Sequence, residues 1–179
     1  FFVWEDIFQA RSFKKLQPYS KVVLLTTLGL LVTGAVLFAC FEIPNPQTMG
    51  SLDGRGKVLA PIFQSVTCRT AGYNTIDQGA MTPSSKVLSI LLMFIGGSSG
   101  STAGGIKTMT FALLVMTVFL TARGKRHVVI FHRKVGSDNL LRALSIVGIA
   151  GTAIIVFTMV ISSVEGLSMM DALFECVSA

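Results

Sequence analysis

Residues 87–122 run for 36 positions with a single charge, Lys107, and this stretch constrains the fold more than any other part of the chain. At about 1.5 Å per residue, one straight helix of that length would far exceed a hydrocarbon core of roughly 30 Å. In its middle, residues 96–105 read GGSSGSTAGG, all Gly, Ser, Thr or Ala. Each glycine costs about 1 kcal/mol against alanine inside a helix, so a cluster of them predicts a break rather than a long rod. Irregular backbone at membrane depth survives only where protein buries it or water lines it. The residues therefore predict two half-helices, 87–95 and 109–122, joined by a loop inside the membrane. The rival reading is close helix packing through small-xxx-small spacing. That motif needs only a few small residues, not an unbroken row of them.

Composition supports a membrane setting. A chain of 179 residues would ordinarily suggest one soluble domain. Here 51% of residues are hydrophobic and 13% charged, whereas soluble chains carry about 25% charged residues. Too few charges remain to coat a water-facing surface. Two further uncharged runs, 22–41 and 143–164, are each long enough to cross a bilayer as a helix. The run 58–68, VLAPIFQSVTC, is too short to cross and reads as a re-entrant half-helix. Pro61 is expected in its first turn, where a missing N–H matters little.

Fifteen Lys and Arg against nine Asp and Glu give a net charge of +6. The basic residues gather beside the apolar runs, which points to topology and not to nucleic acid. Arg11, Lys14, Lys15 and Lys21 precede the first span; Arg123, Lys125, Arg126, Arg133, Lys134 and Arg142 precede the last. The segment 42–57 is balanced, with Glu42 and Asp53 against Arg55 and Lys57. The positive-inside rule puts the basic segments in the cytoplasm and 42–57 outside, with three crossings.

The order of span, dipping helix and span begins again near the end. PIFQSVTC at 61–68 aligns with ALFECVSA at 172–179, matching Phe63 to Phe174 and Val66 to Val177. The chain, which opens on Phe-Phe-Val-Trp, is accordingly expected to be a piece of a longer protein. Its expected parts are 1–21, the cytoplasmic end of a preceding repeat and a linker; 22–122, a complete repeat; 123–142, a cytoplasmic basic loop; and 143–179, the start of the next repeat. Segment 1–17 also fits an interfacial amphipathic helix.

Directly after the dipping helix comes Cys68-Arg69-Thr70-Ala71-Gly72-Tyr73-Asn74. A cation filter replaces the hydration shell of an ion with backbone carbonyls. Successive carbonyls face one axis only where some residue adopts a conformation open to glycine. Thr70, Ala71, Gly72 and Tyr73 have that layout, similar to the T-V-G-Y of potassium-channel filters, with Asn74 at the place of the last glycine.

On FQSVTCRTAGYNTID (63–77), FIGGSSGSTAGGIKT (94–108) and RGKRHVVIFHRK (123–134), the chain resembles the Trk/Ktr/HKT potassium transporters, and most closely KtrB-type potassium uptake subunits. The resemblance implies an all-α polytopic membrane protein of the plasma membrane, a bacterial inner membrane. It would be built of potassium-channel-like span–pore helix–span repeats, four in one chain around one pore. Thr70, Ala71 and Gly72 would bind potassium in the filter, flanked by Cys68, Arg69, Tyr73 and Asn74. Gly96, Gly97, Ser98, Gly100, Ser101, Thr102, Gly104 and Gly105 would form a gating loop beneath it. Lys107 would anchor that loop or repel cations, unless it only snorkels to the inner interface. Cys68 departs from the family pattern, where Thr is common. The implied partners are membrane lipid, a second copy in a homodimer, and a cytoplasmic ring of KtrA-like or TrkA-like subunits. Nucleotide would act only through that ring. Potassium is the implied ion, with sodium or proton coupling left open. A single glycine per filter strand predicts weaker selectivity than a dedicated potassium channel has.

Other motifs fail on context. Gly100 to Lys107 nearly spells a phosphate-binding loop, but Ile106 separates Gly105 from Lys107 and an apolar run encloses it. Gly96-Gly97-Ser98-Ser99-Gly100 fits G-x-S-x-G without the strand–turn–helix or the histidine partner that an esterase elbow needs. The two histidines, His127 and His132, lie in the basic loop and read as solvated. Three cysteines without C-x-x-C spacing exclude a disulfide framework and a zinc ribbon. No covalent chemistry is expected. The rival from another class is a structural or enzymatic membrane protein in which residues 96–105 serve only packing.

Overall fold

The computed structural model describes Val3, Asp6 and residues 16–69, 71–97, 104–124, 129–130, 133–134 and 137–178. Among the described residues six helices carry the architecture: α1 (Pro18–Glu42), α2 (Gly56–Thr67), α3 (Pro83–Phe94), α4 (Thr108–Ala122), α5 (Ser137–Glu165) and α6 (Met169–Ser178). These helices accord with the expected all-helical class. Between α4 and α5 the backbone pairs as a short antiparallel ribbon of β1 (Val129–Ile130) and β2 (Arg133–Lys134), with Val129 opposite Lys134 and Ile130 opposite Arg133.

Among the described residues two helices are long and apolar enough to cross a membrane. The qualifying windows lie in Pro18–Glu42, with mean hydropathy 2.4, and in Leu140–Glu165, with 2.5. Only 22% and 6% of those windows are buried, which separates them from core helices of a soluble domain. Ile149 (73% exposed) and Val164 (77%) turn bare apolar surface outward, as a lipid or protein neighbour requires. Some hydroxyls inside these apolar helices are satisfied within the helix itself: Thr33 donates to the Gly29 carbonyl at 2.7 Å and Thr152 to the Gly148 carbonyl at 2.8 Å, whereas the buried Thr158 Oγ1 has no hydrogen-bond partner.

α1 is the hub, packing against α2, α3 and α4. Phe38 and Leu92 share a core with Met49, Ala60, Cys68, Ile76 and Met81 toward one end of α1. Val22 packs with Ala112 toward the other. So α3 lies beside the C-terminal half of α1 and α4 beside its N-terminal half, running antiparallel to it in succession. With 12 and 15 residues, each is about 18–23 Å long, short of a crossing when taken singly. Closest approach is at Gly34, where a Cβ would run into Ser65 Oγ and meet Leu92 Cδ1 at 3.0 Å. The missing side chain lets Ser65 donate to the Leu31 carbonyl at 2.9 Å.

The helix break lies where the glycines predict it, but the helix bounds differ. α3 starts at Pro83 and not at Val87, because Thr82 caps it: the Thr82 side chain accepts from the Ser85 N–H, and Pro83 takes the first helical position. α2 likewise starts early, at Gly56, whose N–H donates to Asp53 Oδ1 at 2.9 Å. This overturns the placing of Pro61 in the first turn. Pro61 sits inside α2, buried, at a position that denies the Lys57 carbonyl its helical partner.

α6 packs against the α5 that precedes it, as α2 packs against α1, and α6 also reaches α3. Ser168 and Asp171 cap α6 reciprocally, Asp171 N–H donating to Ser168 Oγ at 3.2 Å and Ser168 Oγ to Asp171 Oδ2 at 2.6 Å.

Candidate functional site

The segment after α2 is held by Thr67. Its Oγ1 donates to the Tyr73 carbonyl at 2.5 Å and accepts from the Tyr73 N–H at 3.0 Å. One hydroxyl thus fixes both polar groups of a residue six positions on, and the intervening chain must turn tightly. Ala71 N–H still reaches back to the Thr67 carbonyl at 3.2 Å. Gly72 then takes φ +75° with nothing within 4 Å of where a Cβ would stand. The glycine is therefore required by backbone conformation and not by crowding. Beneath the turn Gln64 and Gln78 pair side chain to side chain, at 3.3 and 3.4 Å.

Of the residues singled out in this segment, Thr70 lies outside the described residues. Cys68 is buried in the core beneath α2, 2% exposed. Ala71, Gly72, Tyr73 and Asn74 are exposed, Tyr73 at 72%.

The break between α3 and α4 has a closed neck. Ile106 N–H donates to the Phe94 carbonyl at 2.9 Å and Thr108 N–H to the Gly97 carbonyl at 3.0 Å. Ile95 and Ile106 form a parallel bridge. A side chain at Gly96 would collide with the Gly104 carbonyl, and Gly105, at φ +68°, would bring one to 2.9 Å from the Phe94 carbonyl. Both glycines are demanded by this close approach. Lys107 caps α4 in extended conformation and is half-buried. Ser98, Gly100, Ser101 and Thr102 lie outside the described residues, as do His127 and His132.

Two features join these segments. Arg69 Nη2 donates to the Gly96 carbonyl at 3.1 Å and to Thr108 Oγ1 at 2.9 Å, and Thr108 Oγ1 itself donates to the Gly96 carbonyl at 2.9 Å. A cavity of about 920 Å³ is lined by Thr67, Cys68, Gly72, Asn74 and Gln78 on one side and by Gly104, Gly105 and Ile106 on another, with Ala150, Ile154 and residues 174–178 closing it. The sequence reading brought Gly72 and the glycine loop into one site, but it missed Thr67, Thr108 and Gln78. Their only signal is spatial, because each acts through a partner at least six residues away. Among the described residues no group of three or more His, Cys, Asp or Glu could hold a metal ion.

Known proteins resemble this chain over most of its length. The chain is 38% identical over 169 residues to Ktr system potassium uptake protein B of Vibrio alginolyticus, covering 94% of this chain and 37% of that one. It is 39% identical to the Bacillus subtilis protein of the same name, over 82% of this chain and 33% of that one. Potassium/sodium uptake protein NtpJ of Enterococcus hirae is 38% identical over 92% of this chain and 36% of its own length. The chain thus spans about a third of the length of these relatives. The TrkH family profile, described as a cation transport protein, matches residues 8–179. This chain belongs to the TrkH family, whose members are membrane transporters and not enzymes.

Proposed function

We propose that this chain is part of a potassium uptake transporter and supplies one complete span–pore helix–span repeat together with the start of the next. α1 is the first span, α2 the re-entrant pore helix, and α3 and α4 together the broken second span. α5 and α6 begin the following repeat. Carbonyls at Thr70, Ala71 and Gly72 serve as the filter, and residues 96–105 are a movable barrier in the permeation path. The observation that carries this reading is the shared cavity. Gly72, in a conformation reserved for glycine, and Gly104 and Gly105 at the neck of the break face one space. A path that an ion could follow past both elements needs that arrangement.

Topology adds support. Glu42 and Thr82 are hydrogen-bonded at one end of α1, while the Val22–Ala112 contact lies toward the other. Lys21 and Arg123 then share the end away from Glu42, as three crossings with basic segments in the cytoplasm require. The protein is multi-pass in the plasma membrane, a bacterial inner membrane. It is a homodimer gated by a KtrA-like or TrkA-like nucleotide-binding ring, in keeping with relatives named as the B component of a Ktr system. Potassium is the transported ion. A relative named for potassium and sodium uptake supports sodium as a second ion.

Shortening the loop tests the barrier. In the full-length protein in liposomes, deletion of residues 99–102 should raise potassium flux. Flux equal to that of the intact protein removes the loop from the gate.

A further inference from the structure

Arg69 stands at the C-terminal end of α2, three residues before Gly72, yet its guanidinium is spent on the opposite wall of the site. Its Nη2 contacts the last residues on both sides of the helix break. Gly96, whose carbonyl accepts at 3.1 Å, lies two residues beyond the end of α3, and Thr108, whose Oγ1 accepts at 2.9 Å, opens α4. Thr108 is fully buried and bonds to the same Gly96 carbonyl, so the three groups close a triangle. A guanidinium held away from bulk water is costly unless its donors are used. Here Nη2 is used on a backbone and a hydroxyl acceptor and not on a carboxylate, while the buried Nε has no hydrogen-bond partner. The same seam is stitched by the Ile106–Phe94 and Thr108–Gly97 backbone bonds. Arg69 thus bonds to both sides of the neck and stands three residues before Gly72 in the turn that follows α2.

We propose that Arg69 is a positioning residue that couples the filter to the gate: it locks the neck of the 96–105 loop closed and transmits loop movement to the backbone at Gly72. The proposal rests on the pore reading above and adds to it a mechanical link between its two elements. One consequence is that the barrier and the ion preference are not independent. A change at the neck alters selectivity, and a change at Arg69 alters flux.

The test uses the full-length protein in potassium-loaded liposomes, with flux expressed per folded molecule and the potassium-to-sodium preference measured alongside. Arg69→Gln should raise flux about tenfold, the equilibrium shift that loss of one charged hydrogen bond brings, and should lower the potassium preference. Thr108→Val, which keeps the side-chain shape and removes the hydroxyl, should act in the same direction to a smaller extent; it also stands in if Arg69→Gln fails to assemble. In a protein already shortened by residues 99–102, Arg69→Gln should add little flux, since the barrier is already gone. Parental flux and preference in both single variants, or full multiplication of the two effects in the combined one, overturns the coupling. If loop shortening raises flux while neither side-chain variant does, the coupling alone falls. If loop shortening itself changes nothing, the pore reading falls and takes this inference with it.

Discussion

Glu42, the last residue of α1, accepts from both donors of Thr82, the N–H at 2.9 Å and Oγ1 at 2.8 Å. The end of the first span thereby fixes the N-cap of α3, forty positions along the chain. Glu42 is fully buried and also accepts from Thr48 Oγ1 and, at 3.1 Å, from Asn45 Nδ2. Asn45 Nδ2 continues to the Ala80 carbonyl at 2.9 Å. One carboxylate thus gathers the α1–α2 loop and the chain entering α3. Glu42→Ala strands several of these donors, and each buried unsatisfied group costs about 1–3 kcal/mol. Thermal unfolding of the detergent-purified protein should show a clearly lowered midpoint, with Glu42→Gln falling between. An unchanged midpoint for Glu42→Ala would remove Glu42 from the framework at this end of α1.

Gly34 and Ser65 set the approach of α1 to α2. Gly34→Ala should destabilise by about 1–3 kcal/mol, because the new methyl meets Ser65 Oγ in a well-packed seam. Ser65→Gly in the same protein should recover part of the loss, since it removes the atoms in the way. A double-mutant cycle on unfolding midpoints checks this, and strictly additive effects would contradict the contact.

Lys86 on α3 and Asp171 on α6 pair at 2.8 Å, 85 positions apart in the chain. Hydrogen bonds from Lys86 and Ser168, together with the charge of Lys86, hold the Asp171 carboxyl below the ordinary carboxylate range. A depressed folded-state pKa contributes stability that is present above the ordinary value and lost as pH falls through the lower one. Asp171 is exposed, so the contribution is small and salt-screened. Acid unfolding of Asp171→Asn should therefore begin from a slightly less stable protein at neutral pH and converge with the parent in strong acid. Parallel curves across the whole range would exclude the pair as a pH-dependent contact.

At Gly72, φ +75° penalises any residue with a Cβ by about 1–2 kcal/mol. Gly72→Ser should distort the turn that Thr67 holds and erode potassium preference, while Gly72→Asn, which tolerates the left-handed region, should do less damage. Permeability ratios in liposomes decide the matter. A ratio unchanged in Gly72→Ser would remove Gly72 from the filter.

Much of this was legible in the residues, and the exceptions share one cause. The spans at 22–41 and 143–164 and the break at 96–105 rest on uninterrupted apolarity and on glycine, both local properties. Helix starts were misplaced where a single cap decides them. Thr82 and Asp53 each extend a helix into polar sequence that apolarity does not mark, and the second of these moved Pro61 into the helix interior. The short ribbon at Val129 and Lys134 lies in a charged loop with no periodic pattern to announce it. Glu42 looked like one charge in a balanced loop, and Arg69 like a neighbour of the filter. What each does depends on residues 40 and 27–39 positions away, which a single sequence does not connect.

Potassium uptake by the full-length protein in liposomes, with sodium as competing ion, tests the central claim most directly. Uptake that favours potassium, and whose preference drops in Gly72→Ser, is the predicted result. Absence of potassium uptake with a cytoplasmic partner ring present would contradict the pore, and would reduce the segment after α2 to an ordinary loop.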